Sequence, residues 1–327
     1  SVNINNIFVY YVGQKNKEYG NKKKNLFIQN IKPLNLNKNS FFQRSINFLY
    51  ISLAFFYFSF FKIKKGDVVF TVTNPAFFIV FLTFLKIFKS FKIILLVYDI
   101  FPEAILTQGI RKNSLYYRLI KHFYDISYKK VDFIVSIGRD MNETIKNKTN
   151  QSDNIYYVPN WSDTDQIKLK EKRENAIVQK YNLENKCVYL FAGNLGWVQS
   201  LDFFIEAIKR QNNPNNAFVF IGEGALSEKI SEFAKDREDT FYLGSMPFKD
   251  QNEFLNLCDI AVISLHDKML GLAVPSKTYA YLAAGKPILF IGNEKSEIGK
   301  LVEENDIGWK FSSTKNIDDI KNFMNRK

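Results

Sequence analysis

The sequence predicts an α/β fold in which two doubly wound domains face each other across a cleft. Short runs of β-branched and aromatic residues alternate with longer segments of helical period, which is the pattern of parallel sheets covered by helices. The alternation restarts after Trp161, and 327 residues are enough for two cores of ordinary size. Hydrophobic residues make up 46% of the chain, so that each half is able to bury such a core.

The predicted elements follow one another in the same way in both halves. Strands of the first half are predicted at Ile7–Val12 and at residues 67–72, 92–98, 132–137 and 155–158. Strands of the second half are predicted at Cys187–Ala192 and at residues 217–221, 240–243, 259–264 and 287–291. The predicted helices are 114–130, 200–210, 225–234, 250–257 and 275–284.

The boundary between the two domains is predicted at VPNWSD, residues 158–163, which a charged stretch follows. This gives domains 1–160 and 161–327, with a C-terminal helix that is able to cross back to the first. Ligands of doubly wound folds bind beyond the carboxyl ends of the strands. The cleft between the two halves is therefore the expected site.

Positive charge is concentrated in the first half. Residues 1–160 contain 23 Lys+Arg and 9 Asp+Glu, a net of +14, whereas the remainder has a net of −2. Such a field attracts nucleic acid, anionic lipid headgroups or phosphorylated substrates. No nucleic-acid-binding module accompanies it. Cys187, Cys258 and the two His residues form neither a disulfide framework nor a zinc pattern, as in a reduced cytoplasmic protein.

Two apolar segments stand out in this basic half. Residues 46–61 are fewer than the ~20 of a spanning helix, so we favour a fully buried helix, then an interfacial helix, and last a membrane span. A second apolar stretch, residues 76–85, runs into Lys86, Lys89 and Lys92, which Phe88 and Phe91 interleave. A core helix that ends in solvated lysines is the alternative to a helix at the headgroup level. Together with the net positive charge of the first half, these lysines and phenylalanines predict association with an anionic membrane surface.

Three loops of the second half follow predicted strands, and their glycines and free backbone groups are suited to contact a ligand. Glycine lets a backbone approach a ligand closely, and a helix N-terminus offers N–H groups to a phosphate. An ordinary tight turn, and a solvated acid at Glu223, are the alternative interpretations. The residues expected to line a ligand there are Gly193, Asn194, Gly196, Gly222, Glu223 and Met246.

The most informative segment is GLAVPSKTYAYLAAGKP, residues 271–287. Pro275 is typical of a first helical turn, and Gly285 of the residue just past a helix end. Such a helix carries Lys277 in its first turn, where the helix dipole disfavours a cation. A diphosphate bound beside Lys277 would remove that conflict.

Together these segments resemble glycosyltransferase family 4, a family of group 1. In the second half the likeness rests on GNLGWVQSLD, FIGEGA, LGSMP, CDIAVISL, GLAVPSKTYAYLAAGKPIL and KSEIGKLVEENDIGW, and in the first half on TNPAFF, VYDIFPEAI, VSIGRDM and VPNWSD. It extends from about residue 67 to residue 309, and the ordered set is specific although no single segment is. The fucosaminyltransferase-like enzymes that build bacterial O-antigen and capsule polysaccharides are the most similar branch.

The resemblance implies a GT-B fold and a retaining transfer of a hexosyl or N-acetylhexosaminyl group. The donor is a nucleotide-diphosphate sugar, UDP-linked by preference, and the acceptor is a polyprenyl-diphosphate-linked saccharide. No metal or other cofactor is required, and no nucleic acid is a partner. The first domain would bind the acceptor and the anionic membrane surface, peripherally, on the cytoplasmic face of the inner membrane. The second domain would bind the nucleotide sugar.

The matching motifs also imply roles for individual residues. Asp99 would face the reacting centre, with Glu103 four residues on, and Lys277 would lie beside the diphosphate. Asn74 and Arg139 would contact the acceptor. Asp99 as a cap of the next segment is the alternative to its catalytic role. In addition to the loop residues above, the donor would contact Gly271, Leu272, Ala273, Val274 and Ser276.

The sequence also departs from the family pattern. Many relatives carry a Glu-x7-Glu pair whose second member binds the donor ribose, and the matching positions here are Leu272 and Ala280. The basic residues that often follow the first glycine loop are replaced by Asn194 and residues 199–200. The glycine-bearing loop expected after the first strand is not evident. Lys277 must then supply more of the charge, and two other functions stay open: a nucleotide-sugar 2-epimerase and a non-catalytic assembly subunit.

Overall fold

The computed structural model describes residues 6–12, 25–36, 41–312 and 317–327. Within these residues the strands form three sheets, and every strand pairing in them is parallel. The first sheet is a separate pair, β1 (Ile7–Val12) and β2 (Leu26–Ile31). Helix α1 (Phe41–Lys62) follows this pair, and the rings of Tyr10 and Phe58 stack between them with centroids 5.3 Å apart.

The first half contains a four-stranded sheet whose strands are arranged in chain order, β3-β4-β5-β6. Because crossovers between adjacent parallel strands are right-handed, the connecting helices lie on one face of this sheet. Helix α1 joins the same layer, since α2 packs against α1 on one side and α3 on the other. The elements are β3 (Val68–Val72), α2 (Phe78–Leu85), β4 (Lys92–Val97), α3 (Leu115–Lys129), β5 (Phe133–Ser136), α4 (Arg139–Thr149) and β6 (Ile155–Tyr157).

The second half contains a six-stranded sheet with strand order β12-β11-β10-β7-β8-β9. The chain leaves β7 towards β9 on one side and returns through β10 on the other, so that β7 and β10 flank a topological switch point. The elements are α5 (Ala176–Lys180), β7 (Cys187–Ala192), α6 (Leu201–Arg210), β8 (Asn216–Ile221), α7 (Ser227–Lys235), β9 (Thr240–Tyr242), α8 (Gln251–Asn256), β10 (Ile260–Ser264), α9 (Lys277–Ala283), β11 (Ile288–Ile291), α10 (Glu297–Asn305), β12 (Gly308–Phe311) and α11 (Ile317–Arg326).

The strands of the second sheet are buried on both faces. Successive residues of β7 enter different cores: Leu190 packs in the cluster that extends into the first half, whereas Phe191 packs in a cluster with α6 and α11. Continuous apolar runs are what a parallel sheet covered on both sides requires. Helix ends are satisfied locally as well, since the hydroxyl of Ser114 accepts the Tyr117 N–H at the start of α3.

Two expectations from the sequence differ from the structure. Residues 46–61 are not a fully buried helix, because α1 buries only a narrow stripe, Ile51, Ser52, Phe55 and Ser59. The C-terminal helix α11 does not cross back to the first half. It packs against α6, and the side-chain amide of Asn216 donates to the Met324 carbonyl at 2.8 Å.

Candidate functional site

The switch point of the second sheet is bordered by the loops that follow β7 and β10. These loops are joined directly, since the N–H of His266 donates to the Val198 carbonyl at 2.8 Å. Helix α9 is fixed at the same place, because the hydroxyl of Tyr281 accepts the Ala192 N–H at 2.8 Å. The predicted glycine loop and the predicted lysine helix therefore meet at one edge of the sheet.

The glycine loops after β7 and β8 form one continuous floor. Gly193 and Gly222 have φ angles of +136° and +135°, which L side chains rarely adopt. A side chain at Gly222 would overlap the Gly193 carbonyl, so the close approach of the two loops requires glycine there. Leu195 N–H donates to the Glu223 carbonyl at 2.9 Å and fixes their register.

The loop after β9 joins this floor. Gly222 N–H donates to the Gly244 carbonyl at 2.7 Å, and the Tyr242 hydroxyl donates to the Gly222 carbonyl at 3.1 Å. Three of the loops that the sequence predicts to bind the donor thus meet at one edge of the sheet. Met246 is half-buried beside the floor, whereas the side chains of Asn194 and Glu223 are exposed.

Lys277 presents a buried amino group to this floor. Its Nζ atom is buried and has no hydrogen-bond partner among the described residues. It lies 3.2 Å from the centroid of the Phe191 ring, and a Cβ built at Gly193 would lie 3.8 Å from it. Burial without a counterion holds the pKa of Lys277 well below its ordinary value. An unpaired buried ammonium is costly, and an anion bound beside it removes that cost.

The loop that leads into α9 is held from the first half. Gly271 has a φ of +68°, and its N–H donates to Oδ2 of Asp140 at 3.0 Å. A Cβ at Gly271 would meet the hydroxyl of Thr144, so α4 and this loop approach closely. Leu272 and Val274 are buried there, and Ser276 is exposed.

Asp99 lies opposite this loop, at the carboxyl end of β4. Its backbone forms an antiparallel bridge with Ala273, and Ile100 N–H donates to the Leu272 carbonyl at 2.9 Å. Thr73 orients it, because its hydroxyl accepts the Asp99 N–H at 3.2 Å, and Asn74 is the next residue. Burial raises the pKa of the Asp99 carboxyl. No hydrogen bond to that carboxyl is found in the part of the chain that the structure describes.

Glu103 is held in a network of ion pairs. Lys148, whose side chain is 2% exposed, donates to both of its carboxylate oxygens at 2.8 and 2.9 Å, and Lys121 donates to Oε1 at 2.8 Å. Asp125 pairs with the same two lysines at 2.6 and 2.9 Å. This geometry favours a structural role for Glu103, not the catalytic role expected from the sequence.

Arg139 connects the two halves through two carboxylates. Its Nε donates to Glu297 at 3.0 Å and its Nη1 to Glu304 at 2.8 Å, while its backbone N–H donates to Glu297 at 2.7 Å. Tyr157 adds a hydroxyl bond to the same Glu297, which is 1% exposed. With its guanidinium committed to these bonds, Arg139 is a clamp between the halves, and the geometry does not favour the expected contact with an acceptor.

Four residues of this region were not singled out from the sequence: Thr73, Asp140, Tyr281 and Glu297. Asp140 and Glu297 follow the carboxyl ends of β5 and β11, so the rule that ligands bind beyond the carboxyl ends of the strands would have found them. Thr73 precedes the chosen Asn74 at the end of β3. Tyr281 has no such signal, because one aromatic residue in an apolar helix is ordinarily core. The described residues contain no group of three or more His, Cys, Asp or Glu suited to a metal ion.

Comparison with known proteins supplies a family and relatives. Residues 172–326 match the family described as glycosyl transferases group 1. The probable glycosyltransferase WbjE of Pseudomonas aeruginosa is 33% identical over 276 residues, which cover 84% of this chain and 69% of that protein. The putative colanic acid biosynthesis glycosyl transferase WcaI of Escherichia coli is 23% identical over 217 residues, which cover 64% and 53%.

Solved structures show the same fold. HepE from Anabaena, in complex with UDP-glucose, matches with a TM-score of 0.70 at 10% identity, over 98% of this chain and 89% of that one. WaaG, a glycosyltransferase involved in lipopolysaccharide biosynthesis, matches with a TM-score of 0.62 at 11% identity, over 94% and 79%. At these identities the likeness concerns the fold alone. It confirms the predicted α/β fold with parallel sheets as that of GT-B glycosyltransferases.

Proposed function

Because the chain belongs to the glycosyl transferases group 1 family, we propose that it moves a sugar from UDP to a lipid-linked saccharide in the synthesis of a bacterial surface polysaccharide. Within that group we assign it to family 4, to the fucosaminyltransferase-like branch that builds O-antigen and capsule. The transferred group is a hexosyl or N-acetylhexosaminyl residue, and its anomeric configuration is retained. Residues 1–160 act as the acceptor domain, and residues 161–327 as the donor domain.

The buried, unpartnered Nζ of Lys277 is the observation that carries this proposal. It lies where β7 and β10 diverge, which is where doubly wound sheets bind nucleotides. The leaving diphosphate gains negative charge in the transition state, and a preorganised cation in a site of low dielectric constant stabilises that charge. Gly193 has no side chain to separate the phosphates from Lys277. HepE, which has the same fold and was solved with UDP-glucose, supports UDP as the carrier.

Retention follows if the departing phosphate oxygen takes the proton of the acceptor hydroxyl on the same face of the sugar. Asp99 then orients the acceptor hydroxyl or the donor sugar across the cleft, beside Asn74. The backbone bridge between Asp99 and Ala273 joins the two halves at this point. Closure of the cleft around the donor would then limit its hydrolysis. Glu103 and Arg139 stay outside the chemistry and maintain the first half and its junction with the second.

Lys277 and the loop amides supply the positive charge that a metal ion supplies in other transferases, so we expect activity in the presence of EDTA. The acceptor is expected at the cytoplasmic face of the inner membrane. WbjE and WcaI, by their descriptions, are a probable and a putative glycosyltransferase, the latter of colanic acid biosynthesis, which supports a role in polysaccharide synthesis.

A thermal-shift panel of nucleotide sugars tests the proposal first, because a ligand that binds only the native state raises its stability. We expect a shift with UDP-sugars, then transfer to polyprenyl-diphosphate-linked saccharide with retention, seen by NMR of the product. Turnover of the donor without acceptor to its 2-epimer would indicate the epimerase instead. Absence of nucleotide binding would indicate the non-catalytic subunit.

A further inference from the structure

Helix α1 is apolar on both of its faces. Its buried stripe, which includes Ile51 and Phe55, packs on α2, where the Phe55 and Phe78 rings meet at 5.3 Å. On the other side, Leu53, Tyr57 and Phe61 are exposed. A helix on the surface of a water-soluble domain ordinarily carries polar residues on that side, so this face requires a partner.

The exposed apolar surface continues onto the two neighbouring helices of the same layer. Beyond α1, the C-terminal end of α2 and one side of α3 also expose large apolar side chains. We define the helix face by two residues from each element or its end: Leu53, Tyr57, Phe84, Phe88, Leu119 and Phe123, which are between 47% and 68% exposed. Large apolar side chains exposed on three neighbouring helices mark an interaction site.

The charges around the helix face are of one sign. Between residues 41 and 130 only one carboxylate, Asp67, is exposed, whereas Lys62, Lys112, Arg118 and Lys129 are exposed basic residues on or beside the three helices. Basic residues that surround an aromatic and aliphatic face complement anionic headgroups above an acyl layer. A second protein copy would bring the same positive charge and repel it.

We propose that the helix face docks the protein on an anionic lipid surface, with α1 lying in the plane of the bilayer. By length and composition, residues 42–62 are the one stretch among the described residues that is able to cross a membrane. Crossing would separate the Ile51 stripe from α2 and the α1 end from Lys89, which donates to the carbonyls of Phe60 and, at 2.8 Å, Ile63. In-plane docking keeps both sets of contacts.

This orientation extends the proposed function and rests on it for the nature of the acceptor. Helix α3 starts at the carboxyl edge of the first sheet, the edge that carries Asp99, and runs away from it along the helix face. The cleft therefore lies at one end of the helix face. A saccharide linked to a membrane lipid is expected to approach Asp99 from that end.

Vesicle flotation with matched leucine variants tests the docking. Leu53→Glu and Leu119→Glu place a carboxylate on the helix face, and Leu169→Glu makes the same change at a leucine of the second half that is 71% exposed. With vesicles of phosphatidylcholine and phosphatidylglycerol we expect the first two variants to bind about tenfold more weakly, and Leu169→Glu to bind like the wild type. Vesicles of phosphatidylcholine alone, or high salt, should release the wild type.

Several outcomes would overturn the docking. Wild-type binding by Leu53→Glu would do so, as would loss of binding by Phe70→Glu alone, since Phe70 is exposed on the opposite face of the same sheet. Retention after alkaline extraction would mean an inserted α1, and a dimer that Leu53→Glu dissociates would mean a self-association face. UDP binding by calorimetry is measured on every variant. If no variant and no wild type binds UDP, the proposed function fails while the docking result stands.

Discussion

Replacing Lys277 by methionine removes the buried ammonium and keeps an unbranched side chain of similar shape. Charge-assisted hydrogen bonds contribute about 1.5–3 kcal/mol, so loss of the contact with a diphosphate should raise the Kd for UDP about 10- to 150-fold. The free protein should not lose stability, because Lys277 Nζ has no hydrogen-bond partner there among the described residues and methionine keeps a polarizable group over the Phe191 ring. A weaker Kd with an unchanged Tm is the expected combination.

The proton uptake that accompanies UDP binding gives an independent measure of the contact between Lys277 and the diphosphate. Burial holds the pKa of Lys277 well below its ordinary value, and a bound diphosphate raises it again. At about pH 9, where the phosphates of UDP are fully ionised, binding should take up as much as about one proton on Lys277. Calorimetry in two buffers of different ionisation enthalpy measures this uptake. Lys277→Met should show none.

The stability of the free protein has a matching pH dependence. At pH values between the depressed pKa of Lys277 in the native state and its ordinary pKa of about 10.4, the unfolded chain binds more protons than the native protein. The free energy of unfolding therefore rises with pH in this window, and Lys277→Met should remove that slope. Equal UDP affinity and equal proton uptake in wild type and variant would refute the role given to Lys277.

Three further substitutions test other parts of the site. Asp99→Asn should lower kcat about 100-fold. Its Tm at neutral pH should stay equal or rise, because the raised pKa of Asp99 means that the ionised carboxylate costs stability above about pH 3.9. A fall in Tm with unchanged kcat would indicate that Asp99 is a structural cap. Gly193→Ala should weaken UDP binding about tenfold, because the new side chain lies beside Lys277. Gly66→Ala is the control: its φ of +89° also strains the backbone, but open space surrounds it and it does not touch the donor site. Equal UDP affinities of the two variants would contradict the placement of the donor beside Gly193. Arg139→Ala should lower the free energy of unfolding by about 2–3 kcal/mol, since it leaves buried Glu297 short of a partner. Glu304→Ala, at a residue that is 50% exposed, should lower it by less than about 1 kcal/mol, and denaturant unfolding compares the two variants. A changed acceptor KM with unchanged stability would restore the acceptor role of Arg139.

The sequence was informative where local pattern decides structure. The strand Cys187–Ala192 begins and ends at the predicted residues, and the predicted helix 114–130 is observed as α3, with Ser114 as its cap. Strand-end reasoning also brought Gly193, Gly222 and Lys277 to one edge, because parallel strands order their carboxyl ends in the same direction. Those positions follow from the periodicity of neighbouring residues.

The sequence was uninformative where the partner of a residue lies far along the chain. Arg139 and Glu297 are 158 positions apart, and Glu103, which precedes α3, meets Lys148 of α4 at a distance of 45 positions, so their ion pairs leave no local pattern. The position of α1 was missed for a related reason. Apolar composition alone does not tell which side of a helix another element covers, and the exposed stripe of α1 became visible only with α2 in place.

The central claim is that a nucleoside diphosphate occupies the switch point beside Lys277. A crystal structure of the protein soaked with UDP tests it most directly. We expect phosphate oxygens within hydrogen-bonding distance of Lys277 Nζ and above Gly193. Nucleotide bound elsewhere, with Nζ still resting unpaired on the Phe191 ring, would contradict the claim.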